Sequence, residues 1–226
     1  MRVAAIVPSA GSGARLKSSI QKPYIKIGGK HILARTLIRL SKNKRIKEII
    51  LAVAKEKTAY AGKMIDRFGI QNVKLVIGGK ERSDSVYNAL KAVSKDIDYV
   101  LIHDGIRPFI NNELIERVLK EALRSKAAIL AVPVKLTLKI AGKNGFIDAT
   151  PDRRWFWEAQ TPQVFKKVLI EKAYKFAREK NIKATDDSAL VEKIGVKPRI
   201  VMGSYSNIKI TTREDLELAR ILIKQR

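Results

Sequence analysis

Residues 8–24 read PSAGSGARLKSSIQKPY, in which Gly11 and Gly13 are followed at once by Arg15 and then by spaced lysines ending at Lys22. Glycines without side chains let backbone amides approach an anion closely. Arg15 would add a planar fork of donors to such a nest, and Lys22 a mobile point charge. The dinucleotide pattern G-x-G-x-x-G fails because Leu16 stands where its third glycine belongs. Nothing in the chain reads G-x-x-x-x-G-K-[ST] either. The glycines alone leave two readings open, a phosphate-binding turn and a plain strand-to-helix turn carrying two solvated bases.

A second stretch, YVLIHDGIRPF at 99–109, ends an apolar run with His103 and Asp104 and continues to Arg107. A carboxylate at the end of a strand, beside bound phosphates, suits Mg²⁺, which takes hard oxygen ligands and uses phosphate oxygens as others. Taken alone, such an aspartate more often serves as a turn or helix cap. His103 reads as a packing or hydrogen-bonding residue rather than a catalyst. GGKERSDSV at 78–86 is another glycine turn, with Ser83 or Asp84 placed to cap the helix after it. SNIKITTRED at 206–215 places Lys209 in a short strand before the last helix. No nucleophile-elbow serine and no H-E-x-x-H is present. Bases, one aspartate and glycine turns instead suit phosphoryl or nucleotidyl transfer, where the protein positions reactants and neutralises developing charge.

The elements that must hold these residues are legible as alternating patterns. Nearly continuous apolar runs at 3–7, 48–53, 73–77, 99–102 and 127–134 predict parallel strands covered on both faces. Helices are expected near 31–41, 56–68, 83–94, 111–125 and 166–180, the last with a stripe of Leu169, Ala173, Phe176 and Ala177. A final helix starts at TTRED, where Thr211 and Glu214 have capping-box spacing, and buries Leu216, Ala219 and Leu222. The alternation means an α/β fold, a doubly wound, mostly parallel Rossmann-like sheet in one domain over 1–226. The glycine loop and Asp104 then share the carboxyl edge of that sheet, where open α/β sheets bind ligands. From Lys135 to Asp152, apolar and polar residues alternate around GKNG, which predicts a protruding β-hairpin. A lone hairpin is marginal in water, so this one is expected to pack on something, such as a second subunit.

Composition narrows the class. The chain has 226 residues, no cysteine and a net charge of +24. Disulfides, a thiol nucleophile and a cysteine-held metal are thereby excluded. No apolar run approaches the roughly 20 residues of a membrane span, and the N-terminus is too short in its apolar part for a signal peptide. A cytoplasmic protein without membrane contact is expected. The charge raises nucleic acid as a partner. Yet the bases are scattered, no block of five like charges occurs, and no basic and aromatic strip for stacking bases is present, so no nucleic-acid partner is expected.

These pieces resemble the 2-C-methyl-D-erythritol 4-phosphate cytidylyltransferase family of the non-mevalonate isoprenoid pathway. PSAGSGARL with KPY, GGKERSDSV, HDGIRPF, TPQVF, TDDSALVE and NIKITTRED occur in the family's order from Ile6 to the last helix. The resemblance implies transfer of CMP from CTP to a polyol phosphate, with release of pyrophosphate and with Mg²⁺ as cofactor. Arg15 and Lys22 match the family's transition-state stabilisers, and Arg153 and Lys209 the bases that position the substrate phosphate. Asp104 matches the magnesium-associated aspartate, while Ala10, Gly11, Gly13, Gly78 and Ser85 match nucleotide contacts. Arg107, Thr161 and Thr185 fall on substrate-pocket positions. Thr137 lies on the family's projecting arm, which reaches into a partner's site and implies a homodimer with the 135–152 hairpin exchanged. Leu136 and Lys80 depart from the family's usual acidic residues, and HDGIRP replaces HDAARP. A ribitol 5-phosphate cytidylyltransferase is the nearest alternative, which TDDSALVE disfavours. A basic nucleic-acid-binding protein is the alternative from another class.

Overall fold

The computed structural model describes residues 1–11 and 21–224. One seven-stranded sheet runs in the order β11-β7-β10-β6-β1-β4-β5. Its members are β1 (Val3–Pro8), β4 (Ile46–Val53), β5 (Val73–Ile77), β6 (Tyr99–Ile102), β7 (Ala127–Pro133), β10 (Trp157–Lys166) and β11 (Arg199–Met202). All neighbours are parallel except β10, which runs antiparallel to both β6 and β7. The five strands expected from apolar runs all form, and the sheet is mostly parallel as expected.

Alternation along β1 shows why it is buried on both faces. Val3, Ala5 and Val7 face one core with Leu33, Leu37 and Leu40 of α1 (Ile32–Ser41), Ala61 and Met64 of α2 (Thr58–Arg67) and Ile115 and Val118 of α4 (Asn112–Ser125). Ala4 and Ile6 face a second core with Val86 and Ala89 of α3 (Arg82–Lys91), Ala173 of α5 (Lys167–Glu179) and Val191 of α6 (Asp187–Glu192). A third cluster seats Leu216 and Ala219 of α7 (Arg213–Lys224) on Ile27, Ile32, Phe109 and Ile210. Ile27 belongs to, and Ile32 directly follows, a small ribbon of β2 (Lys26–Ile27) and β3 (Lys30–His31). Chain order reverses direction between β1 and β6, so the crevice of this doubly wound sheet opens where both strands end.

Four local expectations are corrected. α3 is capped by Glu81, not Ser83 or Asp84; Asp84 is instead the third residue of the box and accepts the Glu81 amide. The box of α7 is one residue later than expected: Thr212 and Asp215 exchange bonds, and Asp215 also takes the Thr211 amide and hydroxyl. The buried stripe of α5 is Ile170, Ala173, Tyr174 and Ala177; Leu169 packs against the same core only partly buried, and Phe176 is half-buried. Lys209 lies in no strand, because its segment runs along the 104–107 loop rather than the sheet, with the Ile210 amide donating to Ile106 O. The hairpin forms as β8 (Ile140–Ala141) paired with β9 (Ile147–Ala149), shorter than its alternating pattern suggests, with Gly145 at φ +82° in the turn.

Candidate active site

The crevice is built from the ends of β1, β5 and β6. Beyond β1, Ala10 meets the turn after β5: a Cβ on Gly78 would lie 2.3 Å from the Ala10 Cβ and 2.8 Å from Ser85 Oγ. Only glycine allows the two loops to come so close. The Ser85 hydroxyl accepts the Gly79 amide at 3.1 Å and donates to Glu81 O, which fixes the turn on the first helical turn of α3. Ala10, Gly11, Gly78 and Ser85, expected to touch a nucleotide, therefore line one rim. Gly13 and Arg15 lie outside the described residues.

Beyond β6, Asp104 is buried and surrounded by cations. Arg82 Nε lies 3.0 Å from its Oδ1, while Lys209 Nζ at 2.9 Å and Arg107 Nε at 3.5 Å approach Oδ2. Burial alone would raise the pKa of this carboxyl, but Arg82, Lys209 and Arg107 together hold it far below the usual carboxylate range. Arg82 extends the network by a 2.8 Å bond to Asp187, which takes the Tyr174 hydroxyl at 2.5 Å. Although burial opposes it, the pair Asp187 and Asp104 raises the Arg82 guanidinium well above its ordinary value, so it stays charged. For Arg107 burial wins and the shift is downward. Its Nη1 donates to Asn207 O at 2.8 Å.

Lys22 reaches the same region from the other side, donating through Nζ to Thr211 O, two residues beyond Lys209. It is only 5% exposed, so a freely solvated lysine is excluded. Behind the loop, His103 is fully buried between Thr161 Oγ1 at 3.0 Å and Arg107 O at 3.1 Å. Burial pushes its imidazole down to about 4, which keeps it neutral near pH 7. Thr161 also accepts the Asp104 amide at 3.0 Å. His103 thus packs and hydrogen-bonds, in line with the sequence.

Two expected site residues stand apart from the Asp104 network. Thr137 and Arg153 lie on the exposed hairpin and its root, where Arg153 donates to Lys135 O; among the described residues neither forms a hydrogen bond or ion pair with Asp104. Thr185, by contrast, is exposed beside the Asp186 cap of α6 and lines one cavity with Arg82. Arg82, Asp187 and Asn207 were not anticipated. The first two sit inside motifs already singled out, but nothing in their spacing says that a guanidinium on one helix meets carboxylates after β6 and on α6.

The donor set bears on magnesium. No cluster of three His, Asp or Glu side chains exists among the described residues. Asp104 supplies one carboxylate beside Arg82, Arg107 and Lys209, which fits an ion coordinated chiefly by substrate oxygens and water rather than one caged by protein.

Comparison with known proteins agrees with the geometry. The family model described as "IspD: 2-C-methyl-D-erythritol 4-phosphate cytidylyltransferase" matches residues 3–225. A Caldanaerobacter subterraneus protein named 2-C-methyl-D-erythritol 4-phosphate cytidylyltransferase is 44% identical over the full length of both chains. A Clostridioides difficile protein of the same name is 44% identical, covering 96% of this chain and 92% of that one. The crystal structure of 4-diphosphocytidyl-2C-methyl-D-erythritol synthase from Anaerococcus prevotii superposes with a TM-score of 0.89 at 37% identity, covering 100% of this chain and 96% of that chain. The Thermus thermophilus cytidylyltransferase structure gives 0.84 at 31% identity, covering 99% of this chain and all of that one.

Proposed function

The chain belongs to the 2-C-methyl-D-erythritol 4-phosphate cytidylyltransferase family, and on that premise we propose how its residues carry out the transfer. It joins CTP to 2-C-methyl-D-erythritol 4-phosphate, giving the 4-CDP-alcohol and pyrophosphate in the non-mevalonate route to isoprenoid precursors. A phosphate oxygen of the polyol phosphate attacks the α-phosphorus of CTP; the new P–O bond forms as the α–β bridging bond breaks, and pyrophosphate carries away the electron pair. Two anions must meet, and at about 4 Å each pair of unit charges repels by several kcal/mol at an effective dielectric of about 20. Offsetting that repulsion is the task of the protein.

The observation that carries this reading is the buried Asp104 cluster, which fixes Arg82, Arg107 and Lys209 beside Lys22 at the mouth of the β1 and β6 crevice. In the absence of substrate, Asp104 holds Lys209 through Oδ2; an incoming phosphate competes for that ammonium. Lys209 holds the polyol phosphate in line, while Lys22 and Arg15 stabilise the crowded α-phosphate. Ala10, Gly11, Gly13, Gly78 and Ser85 line the nucleotide, and Arg107 and Thr185 bound the substrate pocket, with Thr161 bonded to the Asp104 amide behind it. Magnesium, when bound, neutralises phosphate charge, with Asp104 as its protein carboxylate. A cytoplasmic setting fits a chain without cysteine.

The hairpin completes the site from a second copy. Leu136 is 78% exposed, Phe146 72% and Trp155 80%, more apolar surface than a lone ribbon keeps in water. Seating it on a second copy in a homodimer covers that surface and brings Thr137 and Arg153 to the partner's Asp104 rim, from which they are separate in one subunit. A pyrophosphate-release assay with each nucleoside triphosphate against each candidate polyol phosphate tests the reading. Selectivity for CTP and methylerythritol phosphate is expected; preference for ribitol 5-phosphate, or salt-sensitive nucleic-acid binding without pyrophosphate release, would overturn it.

A further inference from the structure

His103 is fully buried and touches no cation or carboxylate through its ring nitrogens, yet both nitrogens are committed. Arg107 O is a carbonyl and only accepts, so the imidazole carries its hydrogen on Nε2 and donates there at 3.1 Å. Nδ1 is then an acceptor, and the one hydrogen of the Thr161 hydroxyl goes to it at 3.0 Å. The same hydroxyl oxygen takes the Asp104 amide at 3.0 Å. Polarity therefore runs one way, from Asp104 N–H through Thr161 and His103 to Arg107 O. Both ends of this relay are the backbone of the loop whose side chains, Asp104 and Arg107, form the cationic cluster. Thr161 is only 5% exposed and its sole hydrogen is spent, which leaves it nothing to donate to a substrate.

We propose that His103 is a positioning residue for the transfer, acting through Thr161 and the 104–107 backbone to hold the Asp104 and Arg107 side chains at the reacting phosphates. This rests on the transferase reading above. Thr161 belongs to the same relay, as a brace rather than a substrate contact. A rigid brace matters because a displacement of about 1 Å at a reacting centre costs roughly a hundredfold in rate.

The test combines kinetics with hydrogen exchange on the full-length enzyme. Thr161→Val keeps shape and removes the hydroxyl; Thr161→Ser restores it; His103→Phe keeps a planar ring and removes both bonds. Thr161→Val and His103→Phe are each expected to lower kcat/KM for the polyol phosphate by about ten- to a hundredfold. Thr161→Ser should stay within a few-fold of wild type, and the double variant should lose no more than the worse single one, because both substitutions break one relay. Losses that multiply in the double variant, or wild-type kinetics in Thr161→Val, would refute the proposal. Should His103→Phe fail to fold, the valine and serine pair at 161 decides alone. Amide exchange separates this idea from the transferase reading: the Asp104 amide is expected to be protected in wild type and to lose protection in Thr161→Val. Unchanged protection refutes the brace whatever the activity, whereas lost protection in an enzyme that never releases pyrophosphate refutes the transferase reading alone.

Discussion

The rim around Asp104 and the hairpin at 135–152 carry residues of the same chemical types and are built in opposite ways. At the rim, Asp104 and Arg107 are buried, Arg82 and Lys209 are half-buried, and each is tied to named partners: Asp104 to Arg82, Arg107 and Lys209, and Arg107 to Asn207 O. Along the hairpin and its root, Phe146, Ile147 and Trp155 are more than half exposed, and Thr137 and Arg153 face solvent. The rim is pre-organised within one chain, where fold stability and site geometry are the same thing. The hairpin has little holding it but its own short ladder, so the role proposed for its residues requires another surface.

The sharpest way to break that contrast is at the rim. Asp104→Ala leaves Arg82, Arg107 and Lys209 facing one another without their shared carboxylate; we expect a loss of about 3–5 kcal/mol, read as a lower urea midpoint. A midpoint unchanged in this variant would mean that the rim is no more integral to the fold than the hairpin.

Acid provides a second probe. The folded His103 titrates at about 4 against 6.5 for an ordinary imidazole, so between those values the unfolded chain binds more protons than the folded one. Stability is therefore full above pH 6.5 and falls as pH is lowered toward 4, by up to about 3 kcal/mol from this residue. His103→Asn should flatten that slope in urea melts across the window; a slope identical to wild type would assign the acid loss to other groups, His31 among them, whose shift is also downward through burial.

The smallest effect on stability belongs to the hairpin. Trp155→Ser, at an 80% exposed position, should leave the urea midpoint within about 0.5 kcal/mol while weakening self-association in sedimentation. A large drop in midpoint would show that the hairpin root is part of the core after all.

The contrast also explains what was legible in the residues. Five parallel strands declared themselves as apolar runs because both faces are covered, and the stretches at 8–11, 78–86 and 103–107 fall on strand ends because loops there are free to carry polar groups. Strand β10 did not declare itself. Pro162 sits inside it, and the pairing with β7 jumps from Ala159 to Gln163, so the proline occupies an irregularity rather than a ladder position. Capping boxes were placed on the right turns but the wrong residues, since Thr211, Thr212, Glu214 and Asp215 offer overlapping spacings and only tertiary packing selects one. Arg82 was invisible for a different reason. Its partners lie 22 and 105 positions away in sequence, and no periodicity encodes such a meeting.

We propose that one active site joins the Asp104 rim of one copy to the exposed hairpin of another. Mixing Lys209→Ala with Arg153→Ala subunits after dissociation and reassembly tests it most directly, through pyrophosphate release from CTP and methylerythritol phosphate. Each variant alone should be nearly inactive. Random pairing makes half the dimers mixed, and each mixed two-fold dimer has one intact site, so roughly a quarter of wild-type activity should return. Activity no higher than the mean of the two parents would contradict a site shared between copies.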